Sequence, residues 1–121
     1  MSFHESCQDI RIEVRGDYTV LLAGAGVGDD EYVPAEINLD QAIGNTDGYF
    51  SREAANFTET AENIELEFRD DGPWLTADLQ KGDGEDRELQ GINLAEHIEN
   101  QGGQLVFISR LVTSILAHLG L

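Results

Sequence analysis

The chain has 121 residues, with 24 Asp and Glu against 7 Lys and Arg, a formal net charge of −17. That length suits one domain with one modest core. The charge leaves no basic patch for a phosphate backbone or an anionic bilayer, which argues against nucleic acid and against membrane insertion. No apolar run reaches the roughly 20 residues of a transmembrane helix.

The first residues, Met1-Ser2-Phe3-His4-Glu5-Ser6, have neither a basic region nor an apolar run, so no signal peptide is expected. The lone cysteine, Cys7, can form no intrachain disulfide, which suits a reducing compartment. The expected location is the cytoplasm, or outside the cell by a non-classical route. Residues 8–14 place Ile10, Ile12 and Val14 on one strand face. Gly16-Asp17 turns the chain, and residues 18–23 return as a second strand. A Gly/Asp-rich stretch over 24–30 reads as a loop, and a strand containing Tyr32 follows.

Next comes Ile37-Asn38-Leu39-Asp40-Gln41-Ala42-Ile43-Gly44-Asn45-Thr46-Asp47-Gly48, and the chain says it again. Ile92-Asn93-Leu94, Ile98, Asn100 and Gly103 recur in register at a shift of 55 residues. Each copy reads as one helical turn, a tight turn and a short strand. Asn38 with Gln41, and Asn93 with Glu96, have capping-box spacing, with the Asn accepting from an N–H three residues on. Leu39 and Ile43 share one helical face, as do Leu94 and Ile98. Asn45-Thr46-Asp47-Gly48 is turn chemistry.

The second repeat follows the same order. Phe57-Thr58-Glu59-Thr60-Ala61 answers Phe3-His4-Glu5-Ser6-Cys7 at a shift of 54. Residues 63–68 give a strand with Ile64, Leu66 and Phe68, and Asp70-Asp71-Gly72-Pro73 gives a turn. Residues 74–79 form a strand with Leu75, Ala77 and Leu79 inward, and 81–86 form a second acidic loop. Short strands punctuated by turn signals indicate an all-β domain. Repeats of about 3–51 and 57–107 are each too small for a full core, so they share one. Residues 108–121 lie outside both repeats. There Ile108, Leu111, Val112, Ile115, Leu116 and Leu119 are spaced as one face of a helix.

Conventional chemistry finds little support. Acid pairs such as Asp70/Asp71 and Asp83/Asp86 sit beside glycine, where solvated turns are the simpler explanation than a glycosidase pair. The second acidic loop lacks calcium-loop spacing. His4, His97 and His118 are scattered, which argues against a metal site, and no phosphate or dinucleotide motif implies a cofactor. Short polar side chains on rigid turns remain: Asn45, Thr46 and Asp47, then Asn56, Thr58 and Glu59, then Gln80 and Lys81. Amides and carboxylates can each engage two neighbouring hydroxyls, as reading a sugar requires. At about 1 kcal/mol net per hydrogen bond, such a site is weak unless multivalent.

These motifs resemble the cyanovirin-N homology lectins, and Asn56-Phe57-Thr58-Glu59-Thr60-Ala61-Glu62-Asn63 is similar to the fungal branch. The resemblance covers residues 1–108 and leaves 109–121 as an apolar tail. It implies a cyanovirin-N-like fold of two pseudo-symmetric halves, each a triple-stranded sheet plus a β-hairpin, with short helical turns. Half A would take 1–41 and 97–108, and half B 42–96. The prototype's disulfide positions read Cys7, Ala25, Ala61 and Leu79 here, and its swap-hinge proline is missing from Ser51-Arg52-Glu53-Ala54, so a monomer is expected.

The implied activity is non-enzymatic binding of α(1→2)-linked mannose on high-mannose oligosaccharides or glycoproteins, without metal or cofactor. The resemblance places the main carbohydrate site in half B, at Gly44, Asn45, Thr46, Asp47, Ala55, Asn56, Glu59, Thr60, Gln80, Lys81 and Gly82. A weak or lost site in half A would comprise Ser2, Glu5, Ser6, Gly26, Gly28, Asn100, Gln101 and Gly102, where Gly102 replaces the carboxylate corresponding to Asp47. The competing expectation is a sugar-blind interaction module that kept the fold.

Overall fold

The computed structural model describes residues 3–52 and 54–108. The expectations for Ser2 and for the tail over 109–121 lie outside those residues. Ten strands and four short 3-10 turns make up the described chain, in four small antiparallel sheets. β1 (Cys7–Arg15), β2 (Tyr18–Gly28) and β3 (Glu31–Asn38) form one sheet. β6 (Ala61–Arg69), β7 (Gly72–Gln80) and β8 (Asp86–Asn93) form its counterpart. Two hairpins complete the set: β4 (Ile43–Thr46) with β5 (Tyr49–Arg52), and β9 (Ile98–Gln101) with β10 (Gln104–Phe107). The β4–β5 hairpin lies against β8 and the 3-10 turn Phe57–Thr60, while β9–β10 lies against β3 and the turn Phe3–Glu5.

The repeats share one core. Phe3, Leu21, Leu39 and Ile43 from the first meet Phe57, Leu75, Leu94 and Ile98 from the second, all buried. Side-chain direction follows strand alternation, so Leu75, Ala77 and Leu79 face inward as expected. The strand faces of β1 and β6 are interrupted. Asp9 (φ 58°) and Asn63 (φ 54°) sit at matching bulges, and Val14 and Phe68 end exposed. The places of the prototype's disulfides are cross-strand partners, Cys7 opposite Ala25 and Ala61 opposite Leu79. Half-burial raises the Cys7 thiol pKa.

Three local expectations need correction. The stretch 24–30 is not a loop: β2 continues through Gly28, paired with β3, because glycine and alanine let the strands pass close to Ser6. The Asp70 turn is tighter than four residues, since Arg69 pairs with Gly72 and Pro73 already lies in β7. The capping boxes do not form. Asn38 Oδ1 accepts from Asp40 N at 2.9 Å and Asn93 Oδ1 from Ala95 N at 2.9 Å, two residues on. A three-residue 3-10 turn is too short for the wider loop of a capping box. Ile43 and Ile98 accordingly open strands and do not share a helix with Leu39 and Leu94, although all four are buried.

One buried carboxylate joins the repeats. Asp40 accepts from Thr19 N at 2.7 Å, Thr58 N at 2.9 Å and Thr58 Oγ1 at 2.6 Å. Its counterpart in the second repeat is Ala95, packed against Gly72.

Candidate functional site

Two-residue turns carry the candidate sites. Thr46 pairs with Tyr49 across Asp47-Gly48, and Gln101 pairs with Gln104 across Gly102-Gly103. Both central residues have positive φ in each turn: 50° and 86° in the first, 62° and 97° in the second. That is the hairpin geometry for which Asp-Gly and Gly-Gly are favoured, because the twist matches the flanking strands.

Asn45 and Asn100 stand on the strands before these turns and act as matching latches. Asn45 Nδ2 donates to Thr60 Oγ1 at 2.8 Å and to the Gln80 carbonyl at 2.9 Å, while its Oδ1 accepts from Gly48 N at 2.8 Å. Asn100 Nδ2 donates to Ser6 Oγ at 3.1 Å and to the Gly26 carbonyl at 2.9 Å, while its Oδ1 accepts from Gly103 N at 2.9 Å. Both donors of each amide are engaged within the fold, and each Oδ1 keeps one acceptor position. They hold each hairpin against its three-stranded sheet.

The half-B residues gather around the first latch. Asp47 is exposed, and its Oδ1 accepts from Gly82 N at 2.8 Å. Its Oδ2 has no partner among the described residues. Lys81 lies beside Gly48, with its ammonium 3.7 Å from Asp83 and 3.8 Å from Glu85. Thr46 Oγ1 donates to Ser51 Oγ at 3.0 Å. Gly44 is a close-approach glycine: a Cβ there would fall 2.7 Å from that of Ala54 and 2.9 Å from the Ala55 backbone. Asn56 is exposed with left-handed φ 65°, forms a bridge to Gly44, and uses its side chain for no cap. Ala55, Glu59, Thr60 and Gln80 are exposed. The result is an open polar notch walled by the hairpin, the 3-10 turn and the β7–β8 loop, with free hydrogen-bonding capacity on Asp47 and on the exposed Asn56, Glu59 and Gln80 side chains.

Half A has the latch without the carboxylate. Glu5 is exposed, and Gln101 bonds its neighbour Glu99. Gly26 N donates to the Ser6 carbonyl at 2.8 Å, and a Cβ on Gly26 would lie 2.6 Å from that oxygen. Ser6, Gly26 and Gly28 nonetheless border a cavity of about 210 Å³ whose remaining wall is Asp29, Asp30, Glu31 and Tyr32. Sequence reasoning missed these four. Their signal was the acidic Asp-Asp-Glu-Tyr run, whose first two residues read as the end of a loop and whose last reads as strand. Asp78 also went unnoticed. It accepts from Leu89 N at 3.0 Å and Asn63 Nδ2 at 2.7 Å, and these donors, the Leu89 N–H foremost, hold its carboxyl below the usual range.

The sequence and the fold have known counterparts. Residues 3–106 match the model of the CVNH domain. A cyanovirin-N homolog from Neurospora crassa is 42% identical over 107 residues, spanning 86% of this chain and 96% of that protein. The NMR structure of a Gibberella zeae CVNH protein superposes with a TM-score of 0.76 at 38% identity, covering 88% of this chain and 97% of the other. A microvirin:mannobiose complex superposes with a TM-score of 0.73 at 34% identity, covering 88% and 98%. On these grounds the chain belongs to the CVNH-domain family.

Proposed function

We propose that this protein is a lectin with no enzymatic role, reading α(1→2)-linked mannose on high-mannose glycans chiefly through the notch around Asp47. The observation that carries this reading is the carboxylate of Asp47. One oxygen is fixed by Gly82 N at 2.8 Å, and the other faces solvent unpaired. A carboxylate held in this way accepts from sugar hydroxyls with little ordering cost, and charge-assisted bonds are the stronger kind. Support comes from microvirin, a relative 34% identical whose solved complex contains mannobiose.

Half A keeps the latch but has glycine where half B has the carboxylate. The cavity beside Tyr32 favours a second, weaker contact there, made through different groups. Titration of the full chain with α(1→2)-mannobiose, followed by amide NMR shifts, tests the reading. Movement at Asp47 and Gly82 is the expected result. A silent spectrum would favour the sugar-blind interaction module.

A further inference from the structure

The two repeats build matching grooves beside their hairpins, and only one is furnished. Near β10 a groove of about 300 Å³ is lined by Pro34, Ala35, Glu36, Gly103, Gln104 and Leu105. Near β5 its counterpart, also about 300 Å³, carries Tyr49 in place of Gln104 and adds the ring of Trp74. Trp74 corresponds to Val20, since each pairs with the Asn that precedes a 3-10 turn, and Val20 is buried. Gly91 lets the Trp74 ring lie down: a Cβ there would come within 3.1 Å of it.

The rings are fixed in place. Arg69 sits over Trp74 at 4.2 Å and Arg87 over Tyr49 at 4.1 Å, and Trp74 Nε1 donates to Asp71 at 2.8 Å. Tyr49 is nevertheless 52% exposed. The Arg52 and Glu96 side chains border the groove with no partner among the described residues, and Gln90 lies beside them. Aromatic surface with a few hydrogen-bonding groups of both signs is the lining of a site for a neutral, hydroxyl-rich ring, whose C–H face packs on the aromatic and whose edge is polar. Guanidinium and carboxylate together on the rim disfavour a strongly charged occupant of either sign.

One hairpin carries residues of both the groove and the notch. Tyr49 lies two residues beyond Asp47, at most about 7 Å along the chain. Arg87 spans the junction, with its buried Nε packed toward Gly48 and its guanidinium over Tyr49.

We infer that the Tyr49–Trp74 groove is a further saccharide subsite, holding the next uncharged sugar of an oligosaccharide whose terminal residues occupy the Asp47 notch. This rests on the lectin reading above. Trp74 is the single tryptophan, so its fluorescence reports on this groove alone. The test titrates the full chain with α(1→2)-mannobiose and with linear α(1→2)-mannotriose, reading Trp74 emission and the Gly82 amide shift together. The trisaccharide should change Trp74 emission and bind more tightly than the disaccharide. Tyr49→Ala should cost about three- to tenfold of trisaccharide affinity, the worth of one aromatic contact, and bring the two sugars level. A Gly82 shift with both sugars while Trp74 stays silent and Tyr49→Ala changes nothing would overturn the groove and leave the notch standing. No shift at either place would overturn both. Trp74 emission that follows protein concentration instead of sugar would assign the groove to a second copy of the chain and overturn the proposal.

Discussion

The turns at Asp47-Gly48 and Gly102-Gly103 share a backbone and differ in what they can offer a ligand. Both are two-residue turns with positive φ, and both are latched by an asparagine that satisfies the same three kinds of partner. Only the first carries a carboxylate, and that carboxylate reaches Gly82. The asparagine maintains the hairpin geometry in both halves, while the residue two positions later distinguishes their chemistry. The second repeat keeps the hairpin geometry with glycine in place of the carboxylate.

The largest expected effect breaks the symmetry of the core. Asp40→Ala leaves the Thr19 and Thr58 N–H groups buried without acceptors, whereas Ala95 at the corresponding place supports no such network. Denaturant unfolding should show a loss of about 3–5 kcal/mol. A loss below about 1 kcal/mol would mean that water replaces the carboxylate.

Next in size is the carboxylate of the turn. Asp47→Gly makes the two turns alike and should remove about 1.5–3 kcal/mol of mannobiose binding, the worth of a charged hydrogen bond, with the fold retained. Gly102→Asp is the reciprocal change. No atom lies within 4 Å of a Cβ placed there, and Asp tolerates the left-handed φ of 62°. It should create a sugar-dependent amide shift at Gly28, which occupies the place of Gly82. Calorimetry and NMR on the two variants together either strengthen the comparison or end it.

The latches should be equivalent. Asn45→Ala and Asn100→Ala should each cost about 1–2 kcal/mol of stability, because each unpins one hairpin from one sheet. Thermal melts differing by much more than that would show that one hairpin is held by other means.

The smallest effect is a pH response confined to one side. Asp78 is held below the usual carboxylate range by Leu89 N–H and then by the Asn63 amide, and Gly24 stands in its place in the first repeat. A lowered carboxylate stabilises the fold above its unfolded value of about 3.9, and that support fades as pH falls through the lowered folded value. Protection of the Leu89 amide, measured against its intrinsic exchange rate, should therefore fall in that acid window, and Asp78→Asn should flatten the dependence. An unchanged profile in the variant would separate Asp78 from the response.

Much of the fold is legible because the chain repeats itself. The correspondence of Phe3 with Phe57, and of Leu39 with Leu94, marks buried positions in the sequence alone, since apolar residues recurring at a fixed shift must serve one shared core. Asp-Gly and Gly-Gly announce the turns. What stays hidden depends on contacts far apart in sequence. Asn45 reads as a ligand residue, and nothing local shows that its amide also donates to Gln80 and Thr60, 35 and 15 residues away. Asp40 reads as a helical-turn acid, and only the approach of Thr19 and Thr58 makes it a buried staple. Asp29 and Asp30 read as the end of a loop because composition does not reveal that they border a cavity with Ser6.

An amide-shift titration of the unmodified chain with α(1→2)-mannobiose compares the two turns in one spectrum. A main site in half B requires saturable shifts at Asp47, Gly82 and Glu59, with much smaller ones at Gly102, Gly28 and Glu5. Shifts centred on Gly28, Ser6 and Gly102, with Asp47 and Gly82 unmoved, would contradict it.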